Sequence, residues 1–264
     1  MTSVRPHLLL VTSQDTAVAL QLVRALLASD AHARVQVLFE RQPRTWRQRL
    51  RAQWRHLRRN GPMWVPYRVG AFVRERFARR GHAAPTLLDA LDDLRRAFPD
   101  RFSARVVPNV HDAAVLAELK ETAADLGIVF GTRILQPKLF TIPRLGMVNI
   151  HQGKLPDYRG MPPGFWELYN GEPSAGVTVH QVAAALDAGH ILCQATVDIR
   201  PFETVESLQS RLDAAVLENI GAWIALVLSN QVRPQPQRPT EGKLYTAPTV
   251  YERLELRRRL RGRG

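Results

Sequence analysis

At 264 residues and 45% hydrophobic content, the chain can bury a large core, and its 18 prolines and 16 glycines are too scattered for a repeat or low-complexity tract. Cys193 is the only cysteine, which excludes an intramolecular disulfide framework and a multi-cysteine metal site. The formal net charge is +13, from 37 basic and 24 acidic residues, and the basic side chains are almost all arginine.

Taken in chain order, Leu8 to Thr12 reads as a buried strand. Ser13 or Asp15 is the predicted cap of an amphipathic helix over "TAVALQLVRALLAS", and Val35 to Phe39 reads as a second strand. Strand, helix, strand at this spacing predicts a parallel, right-handed βαβ unit. The first turn, "VTSQDTAVA", has no glycine, so a dinucleotide fingerprint is absent. The opening "MTSVRPHLLLVTSQD" continues as a strand and not as a signal peptide. No run approaches the roughly 18 apolar residues that a membrane-spanning helix needs. The prediction is a cytoplasmic protein.

Residues 41–80 carry 13 arginines against one acid, Glu75, and "LRRRLRGRG" closes the chain with five more. Within the first segment Trp46, Leu50, Trp54 and Leu57 recur at helical spacing, and Pro62 and Pro66 interrupt the next stretch. The segment over about 41–82 therefore reads as an inserted helical hairpin whose Trp/Leu stripe packs on the core while its arginines face water. Peripheral contact with an anionic membrane, or with a polyanion such as nucleic acid, is the competing reading. His56 and His82 lie in this region without an evident acidic or metal partner.

Further along, strands are predicted near Phe102 to Val107, Leu126 to Phe130, Met147 to Ile150, Gly176 to Val182 and Ile191 to Ile199. Helices are predicted over Asp112 to Thr122, around Phe165, Trp166 and Tyr169 up to Asn170-Gly171, and from about Val205 to Leu228. A proline-rich turn region and a charged helix form the tail. The whole is an α/β fold: a Rossmann-like, mostly parallel sheet with flanking helices, an Arg-rich helical insertion and a small C-terminal appendage. Residues 1–230 are the predicted catalytic domain and 231–264 the appendage.

The chemistry concentrates in "MVNIHQGKLPDYRG". Strand alternation puts Asn149 and His151 on one side and Ile150 on the other, a polar pair that packing alone does not require. An amide that donates to a developing oxyanion, beside an imidazole that takes or holds a proton, suits a site that polarises a carbonyl and moves a proton. Read singly, Asn149 is a turn residue, His151 a structural histidine and Asp187 a turn former. His180 is either structural or at a pocket edge, and Cys193 is a small hydrophobe in a strand.

"GMVNIHQGKLPDYRG", the aromatic helix, "GVTVHQV" and "ALDAGHIL", in this order, resemble the folate-dependent formyltransferase family over roughly residues 120–200. That family includes methionyl-tRNA, glycinamide ribonucleotide and sugar N-formyltransferases. The resemblance implies a Rossmann-like catalytic domain, with 10-formyltetrahydrofolate as formyl donor and neither metal nor covalent nucleophile. It implies catalytic roles for Asn149, His151 and Asp187. It assigns the folate pocket to the loop of Phe130, Gly131, Thr132, Arg133, Ile134 and Leu135, and the acceptor side to Gly160, with Arg159, Trp166 and Tyr169 as further candidates. Ala183, Ala184 and Ala185 stand where many relatives carry an acid and a glycine, which touches folate contacts.

The short tail favours a small-molecule amine, such as an amino sugar or a phosphorylated or nucleotide-linked metabolite, over tRNA. A methionyl-tRNA enzyme, or a membrane- or RNA-associated protein that has lost catalysis, is the alternative. Oligomeric state is not legible.

Overall fold

In the computed structural model, which describes residues 5–30, 32–43, 45–78, 84–238 and 241–261, strand β1 (His7–Thr12) leads into helix α1 (Ala17–Ser29) and returns as β2 (Arg34–Glu40). Leu8 and Leu10 are buried on one face of β1, and Leu9 and Val11 on the other, as a strand covered on both sides requires. Thr16, not Ser13 or Asp15, caps α1, its hydroxyl accepting the Ala19 N–H at 3.2 Å. The Asp15 carboxylate is taken instead by the Leu88 N–H at 3.0 Å, so it staples a distant loop to the helix start.

The chain continues through α2 (Trp46–Asn60), a 3-10 turn (Gly61–Met63), α3 (Trp64–Ala78), α4 (Leu91–Ala97), β3 (Phe102–Val107), α5 (Ala113–Thr122) and β4 (Leu126–Phe130). Then come α6 (Pro137–Phe140), β5 (Met147–His151), β6 (Tyr158–Gly160), α7 (Phe165–Asn170), β7 (Ser174–Gln181) and β8 (Ile191–Asp198). The long α8 (Val205–Leu228), β9 (Lys243–Tyr245) and α9 (Val250–Arg261) complete it.

Seven strands form one sheet in the order β3-β2-β1-β4-β5-β7-β8. The first five run parallel, and β7 and β8 are antiparallel to their neighbours. This is the predicted α/β, Rossmann-like arrangement. On one face α1 and α8 bury Leu22, Leu26, Leu212 and Val216 against Leu10, Ile128 and Val148. On the other, Val115, Leu119 and Leu139 cover Leu9, Val11 and Val129. Strand order reverses direction between β1 and β4, and open parallel sheets bind ligands outside the carboxyl ends of their strands at such a point.

A small second sheet pairs β6 with β9, parallel, so the tail reaches back to the middle of the chain. The Thr204–Ser207 capping box fixes the start of α8.

The Arg-rich segment is a helical hairpin, as the spacing predicts, but its stripe does not pack on the core. Trp46, Leu50 and Trp54 are 65%, 51% and 62% exposed. What docks the hairpin is its turn. Asn60 is buried, its Oδ1 accepting the Val250 N–H at 2.7 Å and its Nδ2 donating to the His56 carbonyl at 2.8 Å. Arg59 reaches Thr246 Oγ1 at 3.0 Å, and the His56 ring stacks on Trp64 at 4.5 Å. Two polar anchors at the bend thus hold the pair and leave its apolar stripe facing outwards. Pro66 does not interrupt α3: it sits in the first turn, where its missing N–H has no partner to lose. Residues 79–83, with His82 and the end of the predicted insertion, lie outside the described residues, as do residues 262–264.

Candidate active site

Strand β5 delivers the polar pair. Ile150 is buried in the core, while Asn149 and His151 share the opposite face and line a cavity of about 800 Å³. The antiparallel neighbour β7 sets Asn149 against His180 and His151 against Thr178. His180 therefore joins the same wall, its ring 6.2 Å from that of His151.

The loop after β7 brings in Asp187 at φ 50°. Gly189, two residues on, lies so close to β7 that a Cβ there would stand 1.8 Å from the Gln181 carbonyl oxygen. Only glycine lets the loop fold back this tightly. The Asp187 carboxylate then meets four groups. Oδ2 accepts the Gly160 N–H at 2.9 Å and stands 3.6 Å from His151 Nδ1. Oδ1 stands 3.5 Å from His180 Nε2 and 3.4 Å from Asn149 Nδ2.

Electrostatics sort the roles. Burial by itself would raise the Asp187 carboxyl, but the His180 contact, the His151 ring and the Gly160 N–H outweigh it and hold the group at about 2, an anion. His151 is pushed below its ordinary value by burial, which prevails over the nearby Asp187 and the Tyr158 carbonyl. The resting imidazole is therefore neutral, although Asp187 favours its charged form. His151 Nε2–H donates to the Tyr158 carbonyl at 2.8 Å, so the Nδ1 lone pair faces the carboxylate and the cavity. His180 Nδ1–H donates to the Gln181 carbonyl at 2.9 Å, and its Nε2 accepts from Asn149 Nδ2 at 3.1 Å.

The cavity's other wall is the loop after β4. Phe130, Gly131, Thr132, Arg133, Ile134 and Leu135 all line it, with Val182, Ala183, Ala185 and Leu186 across the way. Thr12 Oγ1 ties the loop to β1 through the Phe130 carbonyl at 2.7 Å. Arg133 is turned to the protein, paired with buried Glu40 at 2.8 Å and in contact with Asn109 and His111. A flat ring between apolar side chains, with backbone groups of an irregular loop at its edge, fits these walls.

Of the acceptor-side candidates, Gly160 lines the cavity, Arg159 and Trp166 line a small recess that shares His151, Gln152 and Gly160 with it, and Tyr169 lines neither. Arg159 is buried and donates to the Leu186 carbonyl at 3.1 and 2.6 Å. Trp166 is buried in an aromatic cluster with Phe165, Tyr169 and Tyr245, and its indole N–H reaches the Met161 and Thr246 carbonyls. None of the three side chains lines the main cavity. Sequence reasoning missed Gln152 and Asp213, hydrogen-bonded at 2.7 Å on the cavity wall, because the two residues are 61 positions apart and only packing unites them. Burial pushes the Asp213 carboxyl up, against the Gln152 contact.

The Formyl transferase family model matches residues 84–232, more than half of the chain. The chain belongs to the formyl transferase family. A methionyl-tRNA formyltransferase of Cyanothece sp. is 37% identical to it over 127 residues, 48% of this chain and 38% of that protein. The chain spans less than half the length of the curated relatives it matches. Among solved structures, glycinamide ribonucleotide transformylase 1 from Symbiobacterium toebii has a TM-score of 0.60 at 20% identity, covering 88% of this chain and 94% of that one. An N-formyltransferase from Helicobacter canadensis, in complex with folinic acid and dTDP-3-aminofucose, has a TM-score of 0.57 at 14% identity, covering 92% and 71%. These two share the fold.

Proposed function

We propose that this family member transfers a formyl group from 10-formyltetrahydrofolate to the primary amine of a small molecule, an amino sugar or a phosphorylated or nucleotide-linked metabolite. One observation carries the reading. Asn149, His151 and Asp187, from two separate segments, lie within hydrogen-bond or ion-pair reach of one another and line the same cavity as the 130–135 loop.

The folate would supply an activated formyl carbon, and the chain's own groups account for the rest. His151 Nδ1, uncharged and beside the cavity, takes the proton that the attacking amine sheds as the new C–N bond forms, and returns it to the departing folate nitrogen as the old C–N bond breaks. Asp187, a neighbouring anion, then stabilises the imidazolium and keeps the ring oriented. Asn149 Nδ2 has two protons. One is directed to His180, and the other makes only the long 3.4 Å contact to Asp187, so it is available to an oxyanion developing at the formyl oxygen. The loop of Phe130 to Leu135 is the folate wall in this reading, and Gly160 borders the acceptor. Gln152 and Asp213 offer amide and carboxylate oxygens to sugar hydroxyls, which supports an amino sugar. Residues 1–230 act as the catalytic unit around the inserted hairpin, with 231–264 as its appendage.

A methionyl-tRNA acceptor is the second reading, supported by the names of the curated relatives. The test is an acceptor panel of amino sugars, sugar nucleotides and charged initiator tRNA with 10-formyltetrahydrofolate, read by mass gain on the amine and release of tetrahydrofolate. Transfer to a small amine supports the first reading and transfer only to tRNA the second. Absence of both folate binding and transfer sinks the enzyme altogether.

A further inference from the structure

We propose that the α2–α3 hairpin seats this protein on an anionic lipid surface, lying in the interface without crossing it. Three observations converge. On α2, Trp46, Leu50 and Trp54 repeat at four-residue spacing and are exposed; on α3, Val65, Val69 and Phe72 repeat at four and three and are exposed too. Two adjacent helices thus present apolar stripes to solvent, with tryptophans that favour the boundary between headgroups and acyl chains.

Charge says what covers them. Residues 41–80 carry 13 arginines and the single acid Glu75. The described Arg51, Arg55, Arg58 and Arg68 are exposed, and the Arg47 guanidinium lies 5.4 Å from the Trp46 ring centre. Long arginine stems can lie along an apolar face while their heads reach anionic phosphates. A second copy of the chain would bring one basic hairpin against another and is repelled. An RNA could stack on the tryptophans, but it offers nothing apolar to Leu50, Val65, Val69 and Phe72. A lipid surface satisfies both stripe and charge.

Length agrees. The hairpin helices are 15 residues each, and among the described residues no helix is long and apolar enough to cross a membrane. The bend, anchored through Asn60 and Arg59, would transmit docking to the body as a fixed orientation. The inference is independent of the formyl-transfer reading, since it uses no residue of the cavity.

The experiment is co-flotation of the full chain with phosphatidylcholine vesicles, with and without phosphatidylglycerol, at low and high salt, beside a Trp46→Ala/Trp54→Ala variant and an Arg51→Gln/Arg55→Gln variant. The expected result is capture only by the phosphatidylglycerol vesicles, weakened by salt, with a tenfold or greater loss in each variant. Tryptophan emission should shift to the blue on those vesicles, and less so in the Trp variant. Circular dichroism of the variants should match the parent, because the replaced side chains are exposed. Three results would overturn the proposal: no capture, capture that the Trp variant retains in full, or a dimer in light scattering that the Trp variant abolishes. Salt-sensitive binding to tRNA without vesicle capture would assign the patch to nucleic acid instead.

Discussion

At the scale of single residues, the site depends on an uncharged imidazole beside a permanent carboxylate. Replacing His151 with alanine should lower kcat by roughly two to three decades while folate binding persists, as transient kinetics and equilibrium titration would show. Because burial depresses His151, the acid limb of kcat/KM should fall below the ordinary histidine value of 6.5. Asp187 opposes that depression, so Asp187→Asn should both slow turnover and move the limb to still lower pH. A limb unmoved by the change would remove Asp187 from contact with the base. Glu167 makes a separate prediction about stability. Burial raises its carboxyl to about 7 in the folded protein, against backbone donors at Glu167 and Lys154. The folded state then binds the extra proton, so stability falls as pH rises from about 4.5 to about 7 and stays low above. Glu167→Gln should recover up to about 3 kcal/mol at about pH 8 and little at about pH 4, which thermal melts at the two values would check. Asn149 and His151 were legible because alternation along one strand exposes them. His180 was ambiguous and Asp213 invisible, since strand pairing and helix packing place them, not local pattern.

At the scale of elements, the large periodic pieces were readable and the small ones were not. β1, α1, β4 and α8 carry their own apolar period, and the burial follows it. β6 and β9 are three residues each, too short for a period, and their pairing joins Tyr158 to Lys243, far apart in the chain. The hairpin shows the opposite failure: its period was clear, but amphipathicity alone does not say which partner the apolar side meets. The junction of β6 with β9 leaves a direct test. Gly160 has φ 89°, and a Cβ there would lie 2.0 Å from the Tyr245 carbonyl oxygen. Gly160→Ala should therefore separate the two strands, destabilise the fold by about 1–3 kcal/mol, and disturb the N–H that holds Asp187. Denaturant unfolding and transfer assays on the same sample would show both losses, and a fully active variant of unchanged stability would contradict the arrangement.

At the scale of the whole molecule, the cavity sits where strand order reverses, so the sheet locates the site and loops from β1, β4, β5 and β7 furnish it. The α/β class was readable from the first βαβ unit, yet the reversal depends on strand order, which no single segment encodes. The tail is joined to this assembly at several points. Asn60 grips Val250, Arg59 grips Thr246, the Trp166 indole reaches Thr246, and Tyr245 stacks on Tyr158 at 5.2 Å. A protease nick between α8 and β9 that released the last residues would free the hairpin's bend and the Gly160 strand together. Turnover should then be silenced while the seven-stranded sheet survives, since its strands all lie upstream of the cut. Time-resolved digestion, with activity and circular dichroism followed in parallel, should show the first signal decaying well ahead of the second.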